Sequence, residues 1–186
     1  MHSGQVRSGL RGAQWETWGV DPSESAKVAG KKGHKIIRGF FETVSLPNGF
    51  FDLVILNHTL EHMDNPVQVL KKVHRILKKD GLVYVDVPNF GSLSSKILGK
   101  HWPYLVPEEH KHQFTKKALV QILEKSGFKV IHWESRSGIF EYAEPLKLNK
   151  KRLLKELFLL PYSLLATAFN MGDSISIMGK AIKKKE

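Results

Sequence analysis

His58-Thr59-Leu60-Glu61-His62 sets two imidazoles and a carboxylate within five residues. On a helix the two histidines, four positions apart, would share one face with the glutamate beside them, the H-x-x-E-H pattern of inverted zinc proteases. That chemistry needs a helix, and here the pentapeptide emerges directly from the apolar run Phe51 to Leu56. The plainer reading is that Glu61 and His62 only fix a turn between a strand and a helix. A second pair, His110 and His112, lies in the stretch HWPYLVPEEHKHQFT, and there the plain alternative is a surface histidine.

The elements that must position these groups are read from the apolar pattern. Phe51, Leu53, Val54, Ile55 and Leu56 are too dense for a half-exposed strand and predict one covered on both faces. Asn65-Pro66 opens a helix, with an N-cap side chain followed by proline at the first helical position. Val67, Val69, Leu70, Val73, Ile76 and Leu77 recur at helical spacing, with Lys71, Lys72, Arg75, Lys78 and Lys79 on the other face. Asp80-Gly81 is expected to end that helix, and Leu82 to Val87 to form a second buried strand stopped by Pro88. Strand, crossover helix and strand make a right-handed parallel unit, so the fold class is α/β. In such sheets ligands bind beyond the carboxyl ends of the strands, here residues 57–62 and 88–91.

The remaining chain follows the same logic. Residues 1–14 are Gly/Ser-rich, basic and aperiodic, hence loop or disorder, and residues 15–186 form a single domain. Trp15 to Val20 and Lys35 to Arg38 read as short strands around a helix from Ser23 to Lys32. Phe90 to Lys100 reads as a Gly/Ser-rich stretch. Thr115 caps a helix running to Ser126, stopped by Gly127. Phe128 to Glu134 and Asp173 to Ile182 read as strands. The chain has no cysteine, which excludes disulfides and thiolate metal sites. It has no amino-terminal apolar segment, so a cytoplasmic location is expected. The net charge of +11 gathers at Lys147, Lys150, Lys151, Arg152 and Lys155, and again at Lys180, Lys183, Lys184 and Lys185. Such clusters are solvated faces or sites for an anionic partner. Nucleic-acid binding rests on that charge alone, without a matching motif, and is not expected.

Taken together, Gly19-Val20-Asp21-Pro22-Ser23, Phe51-Asp52-Leu53-Val54, Leu60-Glu61-His62 and Pro88-Asn89 form an ordered set, followed by Trp102, Glu109-His110, Phe114-Thr115 and Ser126-Gly127-Phe128. In order and spacing this set resembles the class I S-adenosylmethionine-dependent methyltransferases that carry the L-E-H turn. The resemblance covers roughly residues 15–135 and the final strand. It implies a Rossmann-like parallel sheet with an antiparallel last strand and helices on both faces. The family's first strand and its G-x-G-x-G loop have no counterpart, since no G-x-G occurs in the sequence. The chain is therefore expected to be a methyltransferase shortened at its amino terminus.

The resemblance also implies a site, with S-adenosyl-L-methionine as cofactor. Asp21 matches the acidic residue that holds the ribose hydroxyls. Phe40 and Phe41 fall in the adenine-side loop, with Phe40 where many relatives have an acid. Asn57 and His58 follow the strand whose end faces the methionine part and the methyl group. His110 is the first candidate for a catalytic base, with His58 and His112 behind it. In the ubiquinone-pathway O-methyltransferases, the segment equivalent to His58, Glu61 and His62 is thought to bind a divalent ion, so these three are weak metal candidates here.

Substrate choice is expected in a helical insertion at residues 145–171. Leu157 to Met171 is nearly uncharged, broken by Pro161 and shorter than the roughly 20 residues that span a bilayer. With the basic KLNKKRLLKE before it, residues 147–171 fit peripheral membrane contact through an interfacial helix. A lid packed on the domain's own surface is the plainer alternative. Two function classes follow: methyl transfer to a small-molecule or lipid-linked acceptor, or a non-catalytic, truncated methyltransferase fold acting through surface contacts.

Overall fold

A computed structural model describes residues 15–24, 26–138 and 149–183. The expectation for residues 1–14 and the start of the 145–171 insertion lie outside these. The chain divides into two compact units, one through Pro47 and one from Asn48.

In the first unit β1 (Trp18–Asp21) pairs in parallel with β2 (Lys35–Arg38), and α1 (Ala26–Lys31) connects them. The turn after β1 is built by its own side chains. Asp21 Oδ1 accepts from the Ser23 backbone N–H at 2.7 Å and the Ser23 hydroxyl at 2.5 Å, the local bonding that makes Asp-Pro-Ser a turn signal.

The second unit holds a four-stranded sheet in the order β3-β4-β6-β5. β3 (Phe51–Asn57) and β4 (Leu77–Pro88) are parallel, whereas β6 (Ser174–Ala181) runs antiparallel between β4 and β5 (Phe128–Arg136). The antiparallel last strand is therefore present as expected. α2 (Pro66–Ile76) and α4 (Lys116–Lys125) pack on one another and on the sheet. Val69, Leu70, Val73, Leu119 and Leu123 from these helices are buried with Val83, Val85, Ile175 and Ile177 from the strands. Asn65 and Thr115 cap the two helices through Gln68 N–H and Ala118 N–H. Gly127 follows α4 at φ +94°, where a side chain would also meet the His74 ring, so the stop is glycine for two reasons.

Three expectations are corrected. β3 is not covered on both faces: Leu56 is its one buried residue, Ile55 is 54% exposed, and among the described residues β3 pairs only with β4. α2 ends at Ile76 and β4 begins at Leu77, four residues before the Asp80-Gly81 signal. Leu77 is buried either way and pairs with Phe51, while Asp80 at φ +62° and Gly81 absorb the shift in register before Leu53 pairs with Leu82. Finally, Phe90 to Lys100 contains a helix, α3 (Leu93–Leu98), whose N-cap Ser92 accepts from Ser95 N–H. α5 (Lys150–Phe158) and α6 (Leu160–Ala168) fill the described part of the insertion.

Candidate active site

β3 delivers its carboxyl end to a turn that no regular element would make. His58 sits at φ +45°, an uncommon region for a residue with a side chain, and its backbone N–H donates to the Asp86 carbonyl at 2.8 Å. Thr59 Oγ1 bonds back to the Asn57 carbonyl, and Leu60–His62 then form a single 3₁₀ turn. His58 thus lies outside any helix, so the helical zinc-protease arrangement is not formed. Asn57 is exposed at the strand end, opposite Asp86 in the register.

The same turn captures a distant segment. His112 N–H donates to the Glu61 carbonyl at 3.1 Å, and Lys111 pairs with Asp64 at 2.5 Å. Trp102, almost wholly buried, anchors the segment's start through Nε1 to Ser94 Oγ at 2.9 Å. His110 is carried in between, and its ring meets the His62 ring edge-on at 4.9 Å.

Both rings have their tautomer set by the backbone. His62 Nδ1 lies 2.8 Å from the Glu109 carbonyl and His110 Nδ1 lies 2.9 Å from the Tyr104 carbonyl. A carbonyl can only accept, so each Nδ1 carries the proton, and in the neutral ring Nε2 keeps its lone pair. Glu61 completes the group. It is 1% exposed, its two carboxylate oxygens accept no hydrogen bond among the described residues, and the His58 and His62 nitrogens stand 3.4 and 4.0 Å away. A buried carboxylate without a donor is costly.

One carboxylate oxygen and two imidazole nitrogens, from Glu61, His62 and His110, lie within 4.8 Å of one another. In that set His110 takes the place expected of His58. The donors suit a divalent ion with open positions, and backbone carbonyls already orient both rings as metal-binding histidines require. His112, a second-choice base, turns its Nε2 toward the Asp64 carbonyl instead, at 3.4 Å.

Asp86 escaped the sequence reading. It alternates with buried valines in β4, and its carboxylate accepts from Ser174 Oγ at 3.0 Å. Burial raises its carboxyl above the ordinary range, against the lowering by His58, the Ser174 hydroxyl and Arg136. The folded chain therefore holds this proton more tightly than the unfolded chain. Stability tied to it is present below the ordinary carboxylate value and is lost as pH rises through the raised one. Asp86→Asn should accordingly raise the melting temperature at pH 7 and leave it nearly unchanged near pH 4. Thermal unfolding across that range reads the difference, and a pH-independent offset would show that Asp86 does not titrate there.

The first unit carries the other expected residues. Asp21 ends β1 with its Oδ1 bonded to the Ser23 backbone N–H and hydroxyl. Phe40 is 65% exposed and Phe41 half-buried, in a turn where the Phe40 carbonyl accepts from Thr43 and Val44 N–H.

Parallel strands ending at a polar turn, closed by an antiparallel strand inserted next to the edge, define the fold of S-adenosylmethionine-dependent methyltransferases. Among solved structures, a possible histamine N-methyltransferase from Thermotoga maritima superposes with a TM-score of 0.60 at 23% identity, over 88% of this chain and 72% of that one. The [4+2]-cyclase SpnF does so at 0.58 and 15% identity, over 90% and 66%. The fold therefore does not by itself fix the reaction. A family model described as a methyltransferase domain matches residues 3–133, and the chain belongs to that family. An uncharacterized protein of Methanocaldococcus jannaschii is 29% identical over 121 residues, 61% of this chain and 56% of its own length. The chain thus spans little more than half of that curated relative.

Proposed function

We propose that the protein transfers a methyl group from S-adenosyl-L-methionine to a small-molecule or lipid-linked acceptor whose nucleophile carries an acidic proton, a hydroxyl for example. The observation that carries this reading is the Glu61–His62–His110 group, a buried carboxylate facing imidazoles whose Nε2 lone pairs are free of backbone bonds. The sulfonium of the donor is itself a good leaving group. The chain therefore needs chiefly to hold the acceptor in line, worth up to ~7–11 kcal/mol, and to receive its proton, worth about 3–5 kcal/mol. In this scheme His110 Nε2 takes the proton as the acceptor lone pair forms the new bond, and Glu61 stabilises the imidazolium that results. The same three residues would hold a divalent ion, which when bound would acidify an acceptor hydroxyl.

Asp21 is assigned to the ribose hydroxyls and Asn57 and His58 to the methionine part, with Phe40 and Phe41 beside the adenine, following the family pattern. Asp21→Ala should weaken cofactor binding by about 1.5–3 kcal/mol, because a charged acceptor is lost. Titration calorimetry with S-adenosylmethionine and S-adenosylhomocysteine tests both points. Micromolar binding that Asp21→Ala weakens supports the assignment, and an unchanged affinity removes Asp21 from the site. Absence of binding by the purified protein would favour the non-catalytic reading.

A further inference from the structure

Two consecutive helices turn their apolar sides to solvent. In α6 the exposed positions are Pro161, Leu164, Leu165 and Ala168, the i, i+3, i+4, i+7 spacing of one face, while Ser163 and Ala166 are buried. A surface helix of a globular protein shows the reverse, apolar toward the core and polar outward. α5 repeats the arrangement on a shorter face, with Leu154, Leu157 and Phe158 exposed and Lys151 and Lys155 exposed beside them. The large side chains Leu154, Leu157, Phe158, Leu164, Leu165 and Phe169 are between 48% and 84% exposed. Single exposed leucines are ordinary, but six such side chains at helical spacing on adjoining helices form a patch of the kind that marks an interaction face.

The charge around the patch chooses the partner. α5 opens with Lys150 and Lys151 and carries Lys155 near its end, all exposed, in a chain of net charge +11. A second copy would bring the same lysines against these, whereas anionic headgroups would neutralise them as the leucines and phenylalanines enter the acyl boundary. Among the described residues no helix is long and apolar enough to cross a membrane, and the apolar run is divided at Leu159, with Pro161 in the first turn of α6. We propose that α5 and α6 form a docking face that lies on an anionic lipid surface. The face is fastened to the body of its unit: Tyr162, on the inner side of α6, donates to Asp173 at 3.1 Å, and Asp173 also accepts from Ser94 of α3. Docking at this face does not depend on methyl transfer and is read without it.

Flotation of the purified protein with vesicles tests the proposal, one set of pure phosphatidylcholine and one in which about a third is replaced by phosphatidylglycerol. The protein should float with the anionic vesicles at least roughly tenfold more strongly than with the neutral ones, and less so as salt is raised. Phe158→Ser with Leu165→Ser should abolish the association, and Lys151→Glu with Lys155→Glu should reduce it roughly tenfold or more. All four side chains are exposed, and unchanged circular dichroism and melting temperature would show that the variants remain folded. Equal flotation with both vesicle sets, or full flotation by the folded serine variant, would overturn the assignment. So would a concentration-dependent dimer, seen by light scattering, that the serine variant dissolves while neither form binds vesicles.

Discussion

Asp173→Ala is expected to destabilise the second unit by about 3–5 kcal/mol. The wild-type carboxylate accepts hydroxyls from Ser94, Ser137 and Tyr162. It thereby joins α3, the end of β5 and α6 at the start of β6. Ser137 is fully buried, so its hydroxyl would find no water in exchange for the lost acceptor. Burial, with the negative charge of Asp173 adding to it, raises the Tyr162 phenol above its ordinary value, so it remains a donor throughout the neutral range. A loss of this size is a large part of the ~5–15 kcal/mol that holds a domain. Urea unfolding should show a lower midpoint at unchanged slope. Asp173→Asn keeps one acceptor oxygen and should cost less, and Tyr162→Phe only about 0.5–1.5 kcal/mol. Equal midpoints for Asp173→Ala and wild type would mean that the three hydroxyls find other partners.

His110→Ala should lower methyl transfer by roughly 10²–10⁴-fold while cofactor affinity stays within about twofold, because the ring acts on the acceptor and not on the donor. Under general-base catalysis the residual activity of wild type is indifferent to chelators. If an ion held by Glu61, His62 and His110 is required, chelation and His110→Ala should fail to compound, and calorimetry should show divalent binding to wild type that Glu61→Gln abolishes. Full activity of His110→Ala would remove the residue from both schemes.

Which of these residues could be found from the chain alone follows the range of the forces that place them. α2 and α4 were legible because their stripes and caps lie within a dozen residues, and Asn65, Thr115 and Gly127 act on neighbours they can reach. α3 was missed because its cap and its helix share one run of small polar residues, in which Ser92 is indistinguishable from Ser94 until Ser95 N–H chooses it. The start of β4 was missed because Leu77 satisfies a helical stripe and a strand equally, and only its pairing with Phe51 decides. The site was half legible. His110 and the Glu61–His62 pair each drew notice, but their convergence depends on the hydrogen bond from His112 to the Glu61 carbonyl, which no local pattern announces. Asp86 was missed for the opposite reason. Its place in the strand was plain, and its raised proton affinity arises from burial that alternation alone does not quantify.

The insertion of β6 between β4 and β5 has a consequence for how the protein is made. Among the described residues β5 has no sheet neighbour other than β6, and Phe128 to Arg136 pair with residues that are synthesised after the helix pair α5 and α6. During translation β3, α2 and β4 can assemble as they emerge, but β5 must wait with its hydrogen-bonding edge open while α5 and α6 are added. The nascent chain therefore passes through a stage in which β4 and β5 each offer a vacant edge to any neighbouring strand. Completion is set by the arrival of Ser174–Ala181, so slow codons or a pause within the insertion would prolong the interval open to misassembly, whereas the same pause before Phe51 would not.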